Sequence, residues 1–213
     1  MKTRSKALLL TLCAVLLVAA TIFGTMAYLT STDTVTNTFT VGKVNIKLDE
    51  AKANSDGTLV EGAERVKANS YKLLPGHTYN KDPMVTVLSG SESSYVKMTV
   101  TFSKANELDA IFAPDGANLT SIFSGYDAAN WIAKGNTKDA TANTRTYEFW
   151  YKEAVAAPTA DVALDALFDS ITVPGTITGA QLATIGGMTI TVNAYAIQAD
   201  GFADADAAWA AFH

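Results

Sequence analysis

The chain has 213 residues and a formal net charge of −5; 48% of its residues are hydrophobic and 17% are charged. This composition excludes a disordered polyampholyte, and a single cysteine excludes a small scaffold held together by disulfides. Lys and Arg are not clustered, which argues against nucleic acid as a partner, because phosphate contacts require such clusters.

Residues 1–27 have the layout of a secretory signal peptide. Basic residues precede an uncharged apolar stretch over residues 7–23, and the small residue Ala27 follows. We predict cleavage between Ala27 and Tyr28, so that the membrane is contacted only through the uncleaved signal. A retained membrane anchor is the alternative, since an apolar stretch of about seventeen residues or more can span a bilayer.

Cleavage would leave residues 28–213 as a secreted domain and would remove Cys13, the only cysteine. Without disulfides, this domain depends on its core, and a chain of such length buries roughly 70% of its unfolded surface. No repeat or low-complexity linker interrupts it. We therefore predict one domain.

Apolar and polar residues alternate with a period of two along much of this domain, which predicts β-strands. The predicted strands lie at residues 34–41, 44–48, 84–88, 95–102, 146–151 and 188–199. The apolar phase shifts after Gly42, which predicts a bulge or bend there. Strands with short helical insertions indicate an all-β fold, an antiparallel β-sandwich.

Helical spacing appears in three places. One apolar stripe surrounds Leu108 and is stopped by Pro114, and a short C-terminal helix is capped by Asp204, with Trp209 and Phe212 on one face. The third is an amphipathic pattern formed by Leu164, Leu167, Phe168 and Ile171.

The residue types that catalysis requires are too sparse to form a recognisable active site. The domain contains only His77 and His213, and His77 follows a Pro-Gly pair, where it is explained as a turn residue. No Gly-x-Ser-x-Gly motif and no His-Glu-x-x-His motif occurs. We predict that the protein is not an enzyme and uses no cofactor.

Two further groups have a structural and a functional interpretation. Asp161, Asp165 and Asp169 repeat every four residues, which predicts a solvated helix face, although a surface Ca²⁺ ion could bridge two of them. The aromatic residues of 147–151 must point alternately to opposite sides of a strand. One set is expected in the core, and the other could stack on sugars.

A more specific combination of motifs spans much of the chain. A signal ending in Gly-Thr-Met-Ala is followed by a Thr-rich strand and then by Val-Gly-Lys-Val-Asn-Ile at residues 41–46. A Leu-Pro-Gly turn at 74–76 precedes Met-Val-Thr-Val at 84–87, and a long apolar strand occupies 188–199. The chain thereby resembles the TasA/camelysin family of secreted proteins, convincingly over residues 20–103 and 188–199 and weakly over 104–187.

This resemblance implies a jelly-roll β-sandwich, cleavage by a signal peptidase of SipW type, and a role as a filament subunit in biofilm matrix or on the cell surface. The name camelysin also carries a metalloprotease activity. That activity is not transferred, because the chain lacks a recognisable set of zinc ligands.

The resemblance further implies that the mature N-terminal segment, about residues 28–41, inserts as a strand into the next subunit. This segment carries a single charge, Asp33, and neither Pro nor Gly. The residues expected to form the polymerisation strand are Tyr28, Leu29, Val35, Phe39 and Val41. An exposed sheet edge can accept such a strand, and a head-to-tail contact propagates as a homopolymer.

Two alternatives stay open. Residues 34–41 would be an ordinary first strand of their own subunit if no exchange takes place. The protein would then be a monomeric cell-surface adhesin or glycan-binding sandwich that uses its exposed aromatic residues.

Overall fold

The computed structural model describes residues 6–8, 10–17, 42–112 and 123–212, and it divides the chain into two units, residues 1–41 and 42–213. In the first unit, the described residues are helical and exposed. No helix in the described ranges combines the length and apolar character needed to cross a membrane. The predicted cleavage site and polymerisation strand lie outside the described residues: Ala27, Tyr28, Leu29, Val35, Phe39 and Val41.

The described part of the second unit consists of short helices and three antiparallel sheets. Its strands are β1 (Ile46–Asp49), β2 (Thr78–Asn80), β3 (Met84–Val87), β4 (Ser94–Ser103), β5 (Phe123–Ser124), β6 (Trp131–Asp139), β7 (Thr144–Tyr151), β8 (Val162–Ala163), β9 (Ser170–Thr172) and β10 (Ile190–Gln198). Its helices are α1 (Ala105–Phe112), α2 (Gly179–Thr184) and α3 (Ala205–Ala210).

The largest sheet has the strand order β10-β4-β7-β6, and the smaller sheets have the orders β1-β3-β8 and β2-β9-β5. The predicted all-β sandwich with short helical insertions is therefore confirmed. The finer jelly-roll assignment stays a prediction.

The core lies on one face of the largest sheet. Alternate residues of β4 are buried, and Tyr147 and Phe149 of β7 point to the same side. Phe123 and Phe168 stack against each other there, with ring centroids 4.3 Å apart. The alternation predicted for residues 147–151 is thus confirmed, because Trp150 lies on the opposite face, near Trp209 of α3.

The helices around Leu108 and after Asp204 are confirmed as α1 and α3. The Asp204 carboxylate caps α3 by accepting a hydrogen bond from the Ala207 N–H at 2.8 Å. The Trp209 and Phe212 rings lie on one side of the helix, 5.4 Å apart.

The amphipathic helix predicted over residues 164–171 is wrong. Leu164, Leu167 and Phe168 are buried, but they lie in an irregular segment between β8 and β9. Its backbone is bonded to distant strands instead of to itself: the Leu164 N–H donates to the Val85 carbonyl at 2.8 Å, and the Leu167 N–H donates to the Pro83 carbonyl at 3.1 Å. The helical spacing arose because this segment crosses the edge of the core.

The three aspartates of this segment are exposed, as predicted, but they do not share a helix face. The Asp161 carboxylate accepts from the Ser89 N–H at 2.9 Å, whereas Asp165 accepts from the Asn130 amide at 3.0 Å. Asp169 lies elsewhere, against Gly125. In the described ranges, no group of three or more His, Cys, Asp or Glu residues could hold a metal ion.

We expect Leu167→Ala to lower the free energy of unfolding by about 2–5 kcal/mol, because Leu167 is fully buried and its loss leaves a cavity. Leu59→Ala is the matched control: Leu59 is 51% exposed, and its loss should cost about 0.5 kcal/mol or less. Urea unfolding measures both, and equal effects would contradict the placement of the 164–168 segment in the core.

Candidate functional site

One edge of the largest sheet is unpaired among the described residues. β10 pairs with β4 along its whole length, from Ile190 opposite Phe102 to Gln198 opposite Ser94. No described strand pairs with the other side of β10. Within the described ranges, one side of this nine-residue strand therefore has no partner strand.

The ladder with β4 determines which backbone groups of β10 point away from β4. The Thr189 carbonyl accepts from the Ser103 N–H at 3.0 Å, and the Ala199 N–H donates to the Ser93 carbonyl at 2.7 Å. In antiparallel pairs, successive residues direct their backbone groups to alternate sides. The odd-numbered residues are therefore bonded to β4, and the residues whose N–H and C=O point to the open side are Ile190, Val192, Ala194, Ala196 and Gln198.

The same edge leaves part of the core uncovered. The inward residues of β4 from Val96 to Phe102 are at most 5% exposed, but their apolar neighbours on β10 are only half-buried. Ala194 and Ala196 are also small, so they leave room for larger side chains beside them. Ile190, Val192, Ala194 and Ala196 therefore combine backbone groups that point to the open side with apolar side chains that are only half-buried.

A second wall faces this edge. It consists of β1, with half-buried Ile46 and Leu48, and of the segment 66–71, which is joined to β1 by mutual backbone bonds between Glu50 and Val66. We call the space between β10 and this wall the β10 groove. It widens at the Ile190 end into two adjoining cavities of about 350 and 530 Å³. Tyr71 and Leu182 line the larger one.

Buried ion pairs hold the second wall in place. The Arg65 guanidinium donates to the Asp49 carboxylate at 2.6 Å and to the Asp82 carboxylate at 2.8 Å. Lys81 pairs with Glu50 at 2.5 Å, and the side chains of both are less than 10% exposed. Each of these contacts joins residues outside β10.

The electrostatics of the wall follow from this arrangement. Burial alone would raise the pKa of Asp49, but hydrogen bonds from Lys47 and Arg65 outweigh it and lower the pKa below its usual value of 3.8. Burial, together with the nearby Glu50 carboxylate, raises the pKa of Tyr71 to about 12. Asp49 is therefore ionised and Tyr71 neutral at physiological pH.

The opposite edge of the same sheet, β6, is built differently. Its pairing with β7 is interrupted by a register shift between Ala133 and Gly135, and Gly135 has a φ of 117°. Lys134 and Lys138 add two positive charges to this strand. Bulges and lysines are features that prevent edge strands from pairing with other chains. β10 has no bulge, because its register with β4 is continuous. Its sequence contains no charged residue, proline or glycine.

The other candidate residues do not converge on a site. His77 is exposed and lies 6.4 Å from the Tyr79 ring, between ring centroids. On the outer face of the sheet, the Lys134 ammonium lies 3.8 Å from the centre of the Trp150 ring, and the Trp150 indole N–H donates to Glu148 at 2.5 Å. One face of this ring is therefore covered by a neighbouring cation.

No protein-family model, no curated protein and no solved structure matches this chain.

The wall should weaken in acid. Because the pKa of Asp49 is lower in the folded protein than its ordinary value of 3.8, its ionised form stabilises the fold above pH 3.8, and this stabilisation is lost as the pH falls below that value. We expect Asp49→Asn to be less stable at pH 7 and to show a smaller loss between pH 5 and pH 2. Urea unfolding across this range, with the exposed Glu64→Gln as control, measures the difference.

Proposed function

We propose that the protein is a secreted, non-enzymatic subunit of extracellular filaments, in biofilm matrix or on the cell surface. Subunits join when the N-terminal segment of one, about residues 28–41, adds as a strand to the β10 groove of the next. The observation that carries this proposal is an edge strand, β10, whose core-facing residues are only half-buried. It lacks the bulges and charged residues that keep edge strands from pairing with other chains. The resemblance to TasA/camelysin proteins supports the proposal and favours a jelly-roll sandwich.

The segment has the chemistry that the groove requires. Val35, Phe39 and Val41 alternate with threonines, so one face is apolar and the other polar. An added strand would bond to the free N–H and C=O groups of β10, and each hydrogen bond contributes about 0.5–1.5 kcal/mol net. Its apolar face would cover the half-buried residues of β10, at about 25 cal/mol for each Å² removed from water.

Cleavage after Ala27 acts as the switch in this proposal. Before cleavage, the segment is tethered to the membrane through the signal; after a SipW-type peptidase releases it, it is free to enter a neighbouring subunit. The partner of the protein is then a second copy of itself, and its location is outside the cell.

The monomeric adhesin is a weaker candidate. It requires aromatic rings that are free to stack on sugars, but Trp150 is covered on one face by Lys134 and lies 6.1 Å from Trp209. These rings are engaged with one another on the outer face of the sheet.

Deleting residues 28–38 should leave a soluble, folded domain that no longer forms fibres, because the donated strand is lost while the acceptor remains. Negative-stain electron microscopy of the secreted protein, with circular dichroism to verify the fold, measures this. Fibres of normal appearance from the truncated chain would refute the proposal.

A charge placed in the groove should have the same effect without shortening the chain. We expect Ala194→Lys to remain folded and monomeric, because its ammonium would occupy the space that the added strand requires. Ala133→Lys makes the same change on the exposed β6 edge and should assemble normally. Light scattering across a range of concentrations compares the two variants.

Ala194→Pro is the second test in case the lysine disturbs folding. It removes an N–H that points to the open side, so no bond to β4 is lost. Normal assembly of both Ala194 variants would show that β10 is not the acceptor.

A further inference from the structure

The chain enters the second unit at the Gln198 end of the β10 groove. The Lys43 carbonyl accepts from the Glu92 N–H at 2.9 Å, and the Ala199 N–H donates to the carbonyl of the next residue, Ser93. Gly42 lies against the Glu92 side chain, since a Cβ atom at Gly42 would be 2.9 Å from it.

β1 then runs toward the other end of the groove. Leu48 and Asp49, at the end of β1, line the same cavity as Ile190 and Val192, at the start of β10. The cavities of the groove therefore lie at its Ile190 end, whereas Gly42, the first described residue of the second unit, lies at the Gln198 end.

This placement links the direction of an added strand to the kind of assembly that results. A neighbour's segment that runs antiparallel to β10 comes from a subunit at the Ile190 end, so donation and acceptance take place at opposite ends of each molecule. Such a contact is heterologous and does not close. A parallel segment would come from the Gln198 end, where two subunits can exchange segments reciprocally and close as a dimer.

Resting on the proposed function, we infer that residues 33–41 of the neighbouring subunit add antiparallel to β10, with Val41 opposite Ile190. This register places Phe39 opposite Val192 and Val35 opposite Ala196. All three apolar residues then face the uncovered core, and Asn37 is the single polar residue on that face.

The adjacent registers that keep these residues inward are excluded. A shift of two residues in one direction would bring Asp33 opposite Ala196, and so bury a charge without a partner. A shift in the other direction would bring Lys43 opposite Ile190, but Lys43 is bonded to Glu92 within its own domain. The inferred register is therefore the one that both constraints allow.

Disulfide trapping tests direction and register together. In this register, Thr40 lies opposite Thr191 and Thr34 opposite Ile197, on the solvent side of the sheet. These are non-hydrogen-bonded pairs, with Cα atoms about 4.5 Å apart, which suits a disulfide. Every variant also carries Cys13→Ser, which removes the only native cysteine.

The full-length chain is expressed in a secreting host with a SipW-type peptidase, and the assembled protein is oxidised. We expect T40C/T191C and T34C/I197C to give ladders of disulfide-linked multimers on non-reducing gels. The swapped pairs, T34C/T191C and T40C/I197C, are the matched controls and should remain monomeric on the same gels, with both thiols free to react with a thiol reagent.

The other outcomes overturn the inference in distinguishable ways. Links between subunits in the swapped pairs would show a parallel strand. Links within one chain in the swapped pairs would show that the segment folds back on its own subunit, and the proposed function would fail with the inference. Fibres without links in any pair would refute this register and leave the filament function standing.

Discussion

The antiparallel pairing of β4 with β10 is the interaction on which the geometry of the sheet edge depends. It places the even-numbered residues of β10 on the core side and, through the alternation of the ladder, directs their backbone groups away from β4. The same residues of β10 therefore have backbone groups that lack a partner on β4 and apolar side chains that are only partly covered. One added strand with an apolar face satisfies both at once, whereas water or a loop would satisfy only the polar groups.

The two edge strands of the largest sheet, β6 and β10, differ in the features that prevent pairing with other chains. β6 carries a bulge, a glycine with positive φ and two lysines, and it is largely exposed. β10 is uncharged and regular over its full length. If both edges faced only solvent, the same protection would be expected on each. The asymmetry supports the proposal that an added strand pairs with β10.

Much of the sheet could be predicted from local pattern alone, because β4, β7 and β10 each bury one side of a regular strand. The burial of Leu164, Leu167 and Phe168, by contrast, does not come from a regular element. The segment is bonded to distant strands, and the spacing of its apolar residues does not distinguish it from an amphipathic helix. The sequence does not predict β6, because this exposed edge strand contains Gly135 and shows no clear alternation of apolar and polar residues.

The groove itself was beyond prediction for a related reason. The pattern of residues 188–199 indicates a strand but not its position at an edge, which depends on the order of strands far apart in the chain. The ion pairs of the wall likewise join Asp49, Arg65 and Asp82, which have no common local motif. Only the candidate donor strand was visible in the sequence, because its alternation is local.

The polar construction of the wall has a consequence for assembly. Burying ion pairs carries a desolvation cost, so they are a weak source of stability, but they hold groups in a defined geometry. The ion pairs of Arg65 and Lys81 join Asp49, Asp82 and Glu50, and none of them involves β10. In the proposed assembly, a wall that already has a defined geometry reduces the ordering that an incoming strand must bring about.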